Sequence, residues 1–105
     1  MARKQLSVAT LGLVCGLMFV GMNAQAGDAK AGKEKSALCA GCHGADGISL
    51  TPDIPNLAGQ KEAYIVKAIG YYKSGERKNP MMASMVGGLS ATDMADLAAF
   101  FSSLK

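Results

Sequence analysis

Two stretches of the chain repeat apolar residues with the period of an α-helix. Tyr64, Ile65, Ala68, Ile69 and Tyr72 fall at i, i+1, i+4, i+5 and i+8, and this spacing predicts a helix over 61–73 with one apolar face. Gly75 is placed to end it. Met94, Leu97, Ala98 and Phe101 recur at i, i+3, i+4 and i+7 with Phe100 beside them, and Ser90-Ala91-Thr92-Asp93 opens this last helix with a near capping box in which Asp replaces the usual Glu. Such stripes are ordinarily plain core. A third segment, 28–40, is rich in Ala, Lys and Glu, with Asp28 as its N-cap and only Ala31, Ala37 and Leu38 as modest apolar positions. Gly32 interrupts it at a cost of about 1 kcal/mol relative to Ala. Close packing and simple tolerance account for that glycine equally well. Residues 44–59 carry Gly44, Gly47, Pro52, Pro55 and Gly59, and residues 76–88 carry Pro80 and Gly87-Gly88, so both read as irregular. No alternating run suggests a strand, and no segment repeats. The fold class predicted is all-α, with about three main helices.

The N-terminal pattern is of another kind. Arg3 and Lys4 precede an almost wholly apolar or small run from Leu6 to Met22, and Ala24-Gln25-Ala26 supplies a small-x-small cleavage signature. Residues 1–26 therefore read as a cleaved signal peptide and 27–105 as one domain. The apolar run is short for a spanning helix, which needs about 20 apolar residues, and Val14 before Cys15 is a poor lipoprotein signal. Export to the periplasm is the expected location, with no membrane span in the mature chain.

Removing the leader changes the charge. The whole chain is +3, but residues 27–105 hold nine Lys and Arg against eight Asp and Glu, a net +1. No basic stripe or aromatic interleaving supports nucleic-acid binding. Lys61, Lys67, Lys73 and Lys78 read as ordinary solvated surface. The remaining 79 residues make a single small domain, and a core of that size is marginal without a staple.

The staple is encoded at Cys39-Ala40-Gly41-Cys42-His43, the attachment signature of c-type haem. Two thiols three positions apart stand about one helical turn from each other and can each form a thioether to a haem vinyl group, with the adjacent His43 as iron ligand. A thioredoxin-type reading needs a preceding strand in a βαβ setting, and a structural zinc site needs about four ligands. Outside the leader this chain has only two cysteines and one histidine. One covalent haem c is the cofactor predicted, and the apoprotein is expected to fold poorly.

A thioether opposite His43 would raise the reduction potential and close the iron to substrate. Methionine is also a common gap-filler. Met1, Met18 and Met22 belong to the leader and Met94 to a helix face, which leaves Met81, Met82 and Met85. Spacing alone does not choose among these three.

The run Cys-Ala-Gly-Cys-His-Gly-Ala-Asp-Gly, the segment Pro55-Asn56-Leu57-Ala58-Gly59-Gln60, the Met-Met-x-x-Met before Leu89-Ser90, and Asp96-Leu97-Ala98-Ala99-Phe100-Phe101 together resemble a bacterial class I cytochrome c. The resemblance covers essentially all of 27–105 and is nearest to the small monohaem periplasmic group of c-five-five-three type and to the half-units of dihaem c-four-type cytochromes. It implies thioethers at Cys39 and Cys42, His43 as proximal ligand, and the Pro55 carbonyl accepting the imidazole Nδ1 proton. It also implies Met82 as distal ligand, seven residues before Leu89, with Met85 or Met81 as alternatives because the proline common near that methionine is replaced here by Ala83-Ser84. The family's crossing of first and last helices maps onto Gly32 and Phe100.

The function that follows is one-electron transfer between redox proteins, a donor and an acceptor, by a monomer or weak dimer that is not an enzyme. A second reading is the haem c subunit of a larger oxidoreductase, such as a flavocytochrome sulfide dehydrogenase. A third, an open-iron enzyme or gas sensor, is disfavoured because Arg77 is the only distal Arg or His on offer.

Overall fold

The computed structural model describes residues 27–105, with Gly12 alone before them. The leader reading of 1–26 therefore lies outside the described residues. Five helices follow one another: α1 (Ala29–Lys35), α2 (Ala37–His43), α3 (Glu62–Ser74), α4 (Pro80–Val86) and α5 (Ala91–Ser103). Among the described residues there is no strand, and no helix is long and apolar enough to cross a membrane.

The segment expected as one helix over 28–40 is two. Asp28 caps α1 as predicted, its carboxylate accepting from Lys30 and Ala31 amides at 2.9 and 3.3 Å. Ser36 then breaks the run. Its hydroxyl donates to the Lys33 carbonyl at 2.6 Å, the acceptor that the Ala37 amide would otherwise use, and back-bonding of this kind bends helices. The chain resumes in α2, which carries the whole Cys39–His43 motif on helical backbone.

Helices α3 and α5 stand where the apolar spacing places them. Gly75 closes α3 in the left-handed conformation, at φ 81°. The capping box of α5 forms in both directions, Asp93 amide to Ser90 Oγ at 3.0 Å and Ser90 amide to Asp93 Oδ2 at 2.9 Å. The stretch 76–88, expected to be irregular, contains α4. Pro80 sits in its first turn, where the missing amide hydrogen has no intrahelical partner to lose. The Asn79 side chain accepts from the Met82 amide at 3.1 Å, which completes the start of the helix.

Ile65, Ile69, Val86, Leu97, Ala98, Phe100 and Phe101 form the buried core. Helix α1 crosses α5 closely. A Cβ at Gly32 would lie 1.9 Å from the Asp96 carbonyl oxygen and 2.8 Å from Phe100 Cβ. Of the two accounts of Gly32, close packing is the one the fold requires. Asp96, not singled out in the sequence, is buried at this crossing. Lys35 Nζ reaches Asp96 Oδ2 at 2.6 Å and Asp93 Oδ1 at 2.8 Å, and the Asp28 amide donates to Asp96 Oδ1 at 2.8 Å.

Candidate functional site

One cavity of about 300 Å³ is lined by residues from α2 to α5 and from the 53–60 loop. Every residue singled out in the sequence for cofactor binding is on its wall: Cys39, Cys42, His43, Pro55, Met81, Met82 and Met85. The apolar face of α3 lines it too, from Tyr64 to Tyr72, opposite Leu97 and Phe101 of α5.

His43 is the last residue of α2 and only 7 % exposed. Its Nδ1 lies 2.8 Å from the Pro55 carbonyl oxygen. A carbonyl only accepts, so Nδ1 carries a proton in this pair, and Nε2 is the nitrogen left to act as a ligand. The loop holds that carbonyl in place through flanking bonds. The Leu57 and Ala58 amides donate to the Gly47 carbonyl at 2.8 and 3.0 Å, the Gly59 amide donates to the Phe101 carbonyl at 2.9 Å, and the Ser49 amide donates to Asn56 Oδ1 at 2.8 Å. Thus the Gly- and Pro-rich stretch that reads as mere loop is a fixed strap under the histidine.

Cys39 and Cys42 are three residues apart on α2, so their side chains share one face. Both are free thiols, Cys39 half-buried and Cys42 exposed. Burial first, and then the neighbouring Cys42, push the Cys39 thiol above its ordinary value, so it rests protonated. The two thiols and the histidine thus occupy one wall.

Met81, Met82 and Met85 form the other sulfur-bearing wall on α4. Their helical placement sets Met81 apart from the other two. Met82 and Met85 share a face with buried Val86, following the three- and four-residue helical repeat, and Met82 packs against the core. Met81 is 66 % exposed and belongs to the rim. Arg77 also lines the cavity, with its guanidinium 4.8 Å from the centre of the Tyr72 ring.

The donor set fits a covalent haem iron. It offers an imidazole held through Nδ1 with Nε2 left to act as a ligand, two thiols one turn apart, a thioether-bearing helix, and apolar walls between them. Among the described residues no cluster of three or more His, Cys, Asp or Glu could hold a bare metal ion.

The sequence profile of the family described as Cytochrome c matches residues 29–105. Cytochrome c-554(548) of Halomonas halodenitrificans is 47 % identical over 81 residues, covering 74 % of this chain and 98 % of that protein. Cytochrome c4 of Pseudomonas aeruginosa is 45 % identical over 93 residues, covering 89 % of this chain and 46 % of that protein. The crystal structure of reduced recombinant cytochrome c4 from Pseudomonas stutzeri superposes with a TM-score of 0.73 at 45 % identity, over 76 % of this chain and 47 % of that one. The chain thus spans about half the length of the c4 relatives that it matches, and its all-helical architecture is that of their fold.

Proposed function

This chain belongs to the cytochrome c family, and from that premise we propose that it is a periplasmic one-electron carrier with a single haem c, joined to Cys39 and Cys42 and ligated by His43 and Met82. The observation that carries the reading is the buried His43, fixed by the Pro55 carbonyl at 2.8 Å with its other nitrogen free, on a cavity wall shared with both thiols and the α4 methionines.

Covalently bound haem c, the cofactor of this family, supplies a one-electron Fe(III)/Fe(II) couple. The chain's own residues do the rest. Cys39 and Cys42 hold the group to α2. The Pro55 carbonyl sets the tautomer and orientation of His43 and raises its basicity. The Met82 thioether, a soft donor, favours the reduced metal and so a high potential. Ile65, Ile69, Leu97 and Phe101 exclude water, which keeps the local dielectric low and limits reorganisation around the charge. With His43 committed as a ligand, its imidazole would not serve as an acid or a base. The chain's partners are redox proteins, one donor and one acceptor, met outside the cytoplasm after removal of residues 1–26.

The half-length match to cytochrome c4 supports a second reading, in which this unit passes electrons inside a larger oxidoreductase assembly. The near-complete match to cytochrome c-554(548) favours the free carrier. Visible and near-infrared spectra of the purified protein, taken before and after reduction, test the proposal. A low-spin thioether-linked haem with a sulfur-to-iron band, in a small species that runs alone, is the expected result. A high-spin spectrum, or copurification with a larger chain in fixed ratio, would overturn it.

A further inference from the structure

Gly27 has no room for a side chain. A Cβ there would lie 1.8 Å from the Ala95 carbonyl oxygen and 2.7 Å from the Asp96 amide nitrogen, so the Gly27 backbone rests directly on the backbone of α5. The next residue fixes this seat, because the Asp28 amide donates to Asp96 Oδ1 at 2.8 Å. Successive backbone nitrogens are at most about 3.7 Å apart, which puts the Gly27 nitrogen within roughly 6.5 Å of the Asp96 carboxylate. Asp93 and Asp96 share one cation there, Lys35.

We propose that cleavage directly before Gly27 completes the fold. Water adds across the Ala26–Gly27 peptide bond, leaving a carboxylate on Ala26 and an ammonium on Gly27. That ammonium donates to the α5 backbone at Ala95 and pairs with Asp96, adding a second cation to the α1–α5 crossing. In the uncleaved chain the same nitrogen is a neutral amide with a single hydrogen. The inference rests on the reading of 1–26 as a removable leader.

Intact mass and thermal unfolding of the purified holoprotein test it. The mass should begin at Gly27. Selective acetylation of the α-amine should lower Tm by about 4–8 °C, the shift that a roughly fivefold loss in the folding equilibrium produces in a domain of this size. In an Asp96→Asn background the same acetylation should lower Tm by less than half as much. Equal Tm for acetylated and unmodified protein, or an equal drop in both backgrounds, would overturn the proposal. If Asp96→Asn does not accumulate, the acetylation shift is compared at low salt and at about 1 M salt, where screening is nearly complete. A shift that salt leaves unchanged overturns it as well. A mature mass that starts elsewhere ends the proposal while leaving the leader reading intact, and a mass that includes residues 1–26 ends both.

Discussion

The two halves of this molecule are held together by different means. At the α1–α5 crossing the chain meets itself. Gly32 lets backbone touch backbone, Phe100 packs beside it, and Lys35 ties Asp93 and Asp96 together. On the other side, α2, α3 and α4 direct their apolar faces and their sulfur and imidazole donors toward a shared cavity of about 300 Å³. Interior packing elsewhere in proteins approaches that of organic crystals. A wall of Ile65, Ile69, Leu97 and Phe101 around such a space is matched to a large apolar group. One half is a clasp that closes on the chain itself and the other is a holder. Substitutions in the clasp should therefore act on stability, and substitutions in the holder on loading and redox behaviour.

The largest effect belongs to the holder. Cys39→Ser or Cys42→Ser should remove most of the mature holoprotein, measured as thioether-linked haem in the periplasmic fraction. Normal accumulation of haem-loaded protein in either variant would break the division, because the cavity side would then be stable without one of its tethers.

Gly32→Ala should come next, and it acts on the clasp. The methyl would sit 1.9 Å from the Asp96 carbonyl oxygen, so the helices must separate, and overpacking of this kind costs about 3 kcal/mol. Tm should fall by more than about 10 °C in a domain of this size while the reduction potential of surviving holoprotein stays near that of the parent. A shifted potential at unchanged Tm would show that the two halves are not separable.

The smaller effect is one of pH. Lys35 first, and then the Ser90 amide and hydroxyl, hold the Asp93 carboxyl at about 2 against an ordinary 3.8. Asp96 is held low in the same direction by Lys35 and the Asp28 amide, and Lys35 is raised above its ordinary 10.5 by the two aspartates. Groups with depressed folded-state values bind more protons when unfolded. Their stabilisation is present above about pH 4 and is lost as pH falls from there toward about 2. The Lys35 contribution is present below about 10.5 and disappears at higher pH. The clasp should therefore be most effective between these limits, as equilibrium unfolding across pH would show, and Asp96→Asn should flatten the acid limb. An acid limb unchanged in that variant would place the sensitive groups elsewhere.

Legibility in the sequence divides along related lines. Helices α3 and α5 carry apolar residues at clear 3.6-residue spacing with good caps, so periodicity found both. The haem motif fixes residue type and order together, and its three residues share one wall of the cavity. Helix α4 was hidden because Pro80 reads as a breaker unless Asn79 is recognised as the cap and the proline as a first-turn residue. The break at Ser36 depends on a side-chain bond to Lys33 that no composition reveals. Asp96 looked like one more acidic residue on a helix, and only the crossing helix makes it a buried partner of Lys35. The Pro55 contact came from resemblance, since nothing local marks a proline carbonyl as the acceptor for a histidine twelve residues away.

The central proposal is that His43 and Met82 would both ligate the haem iron, and a methionine series tests it most directly. Met82→Ala should abolish the near-infrared sulfur-to-iron band, lower the reduction potential and open the ferrous protein to CO, because a soft thioether that favours Fe(II) is lost. Met81→Ala and Met85→Ala should keep the band, since exposed Met81 lies at the rim and Met82, unlike Met85, packs against the core. Loss of the band in Met85→Ala with retention in Met82→Ala would contradict the ligand assignment, and retention in all three single variants would contradict thioether ligation from α4 altogether.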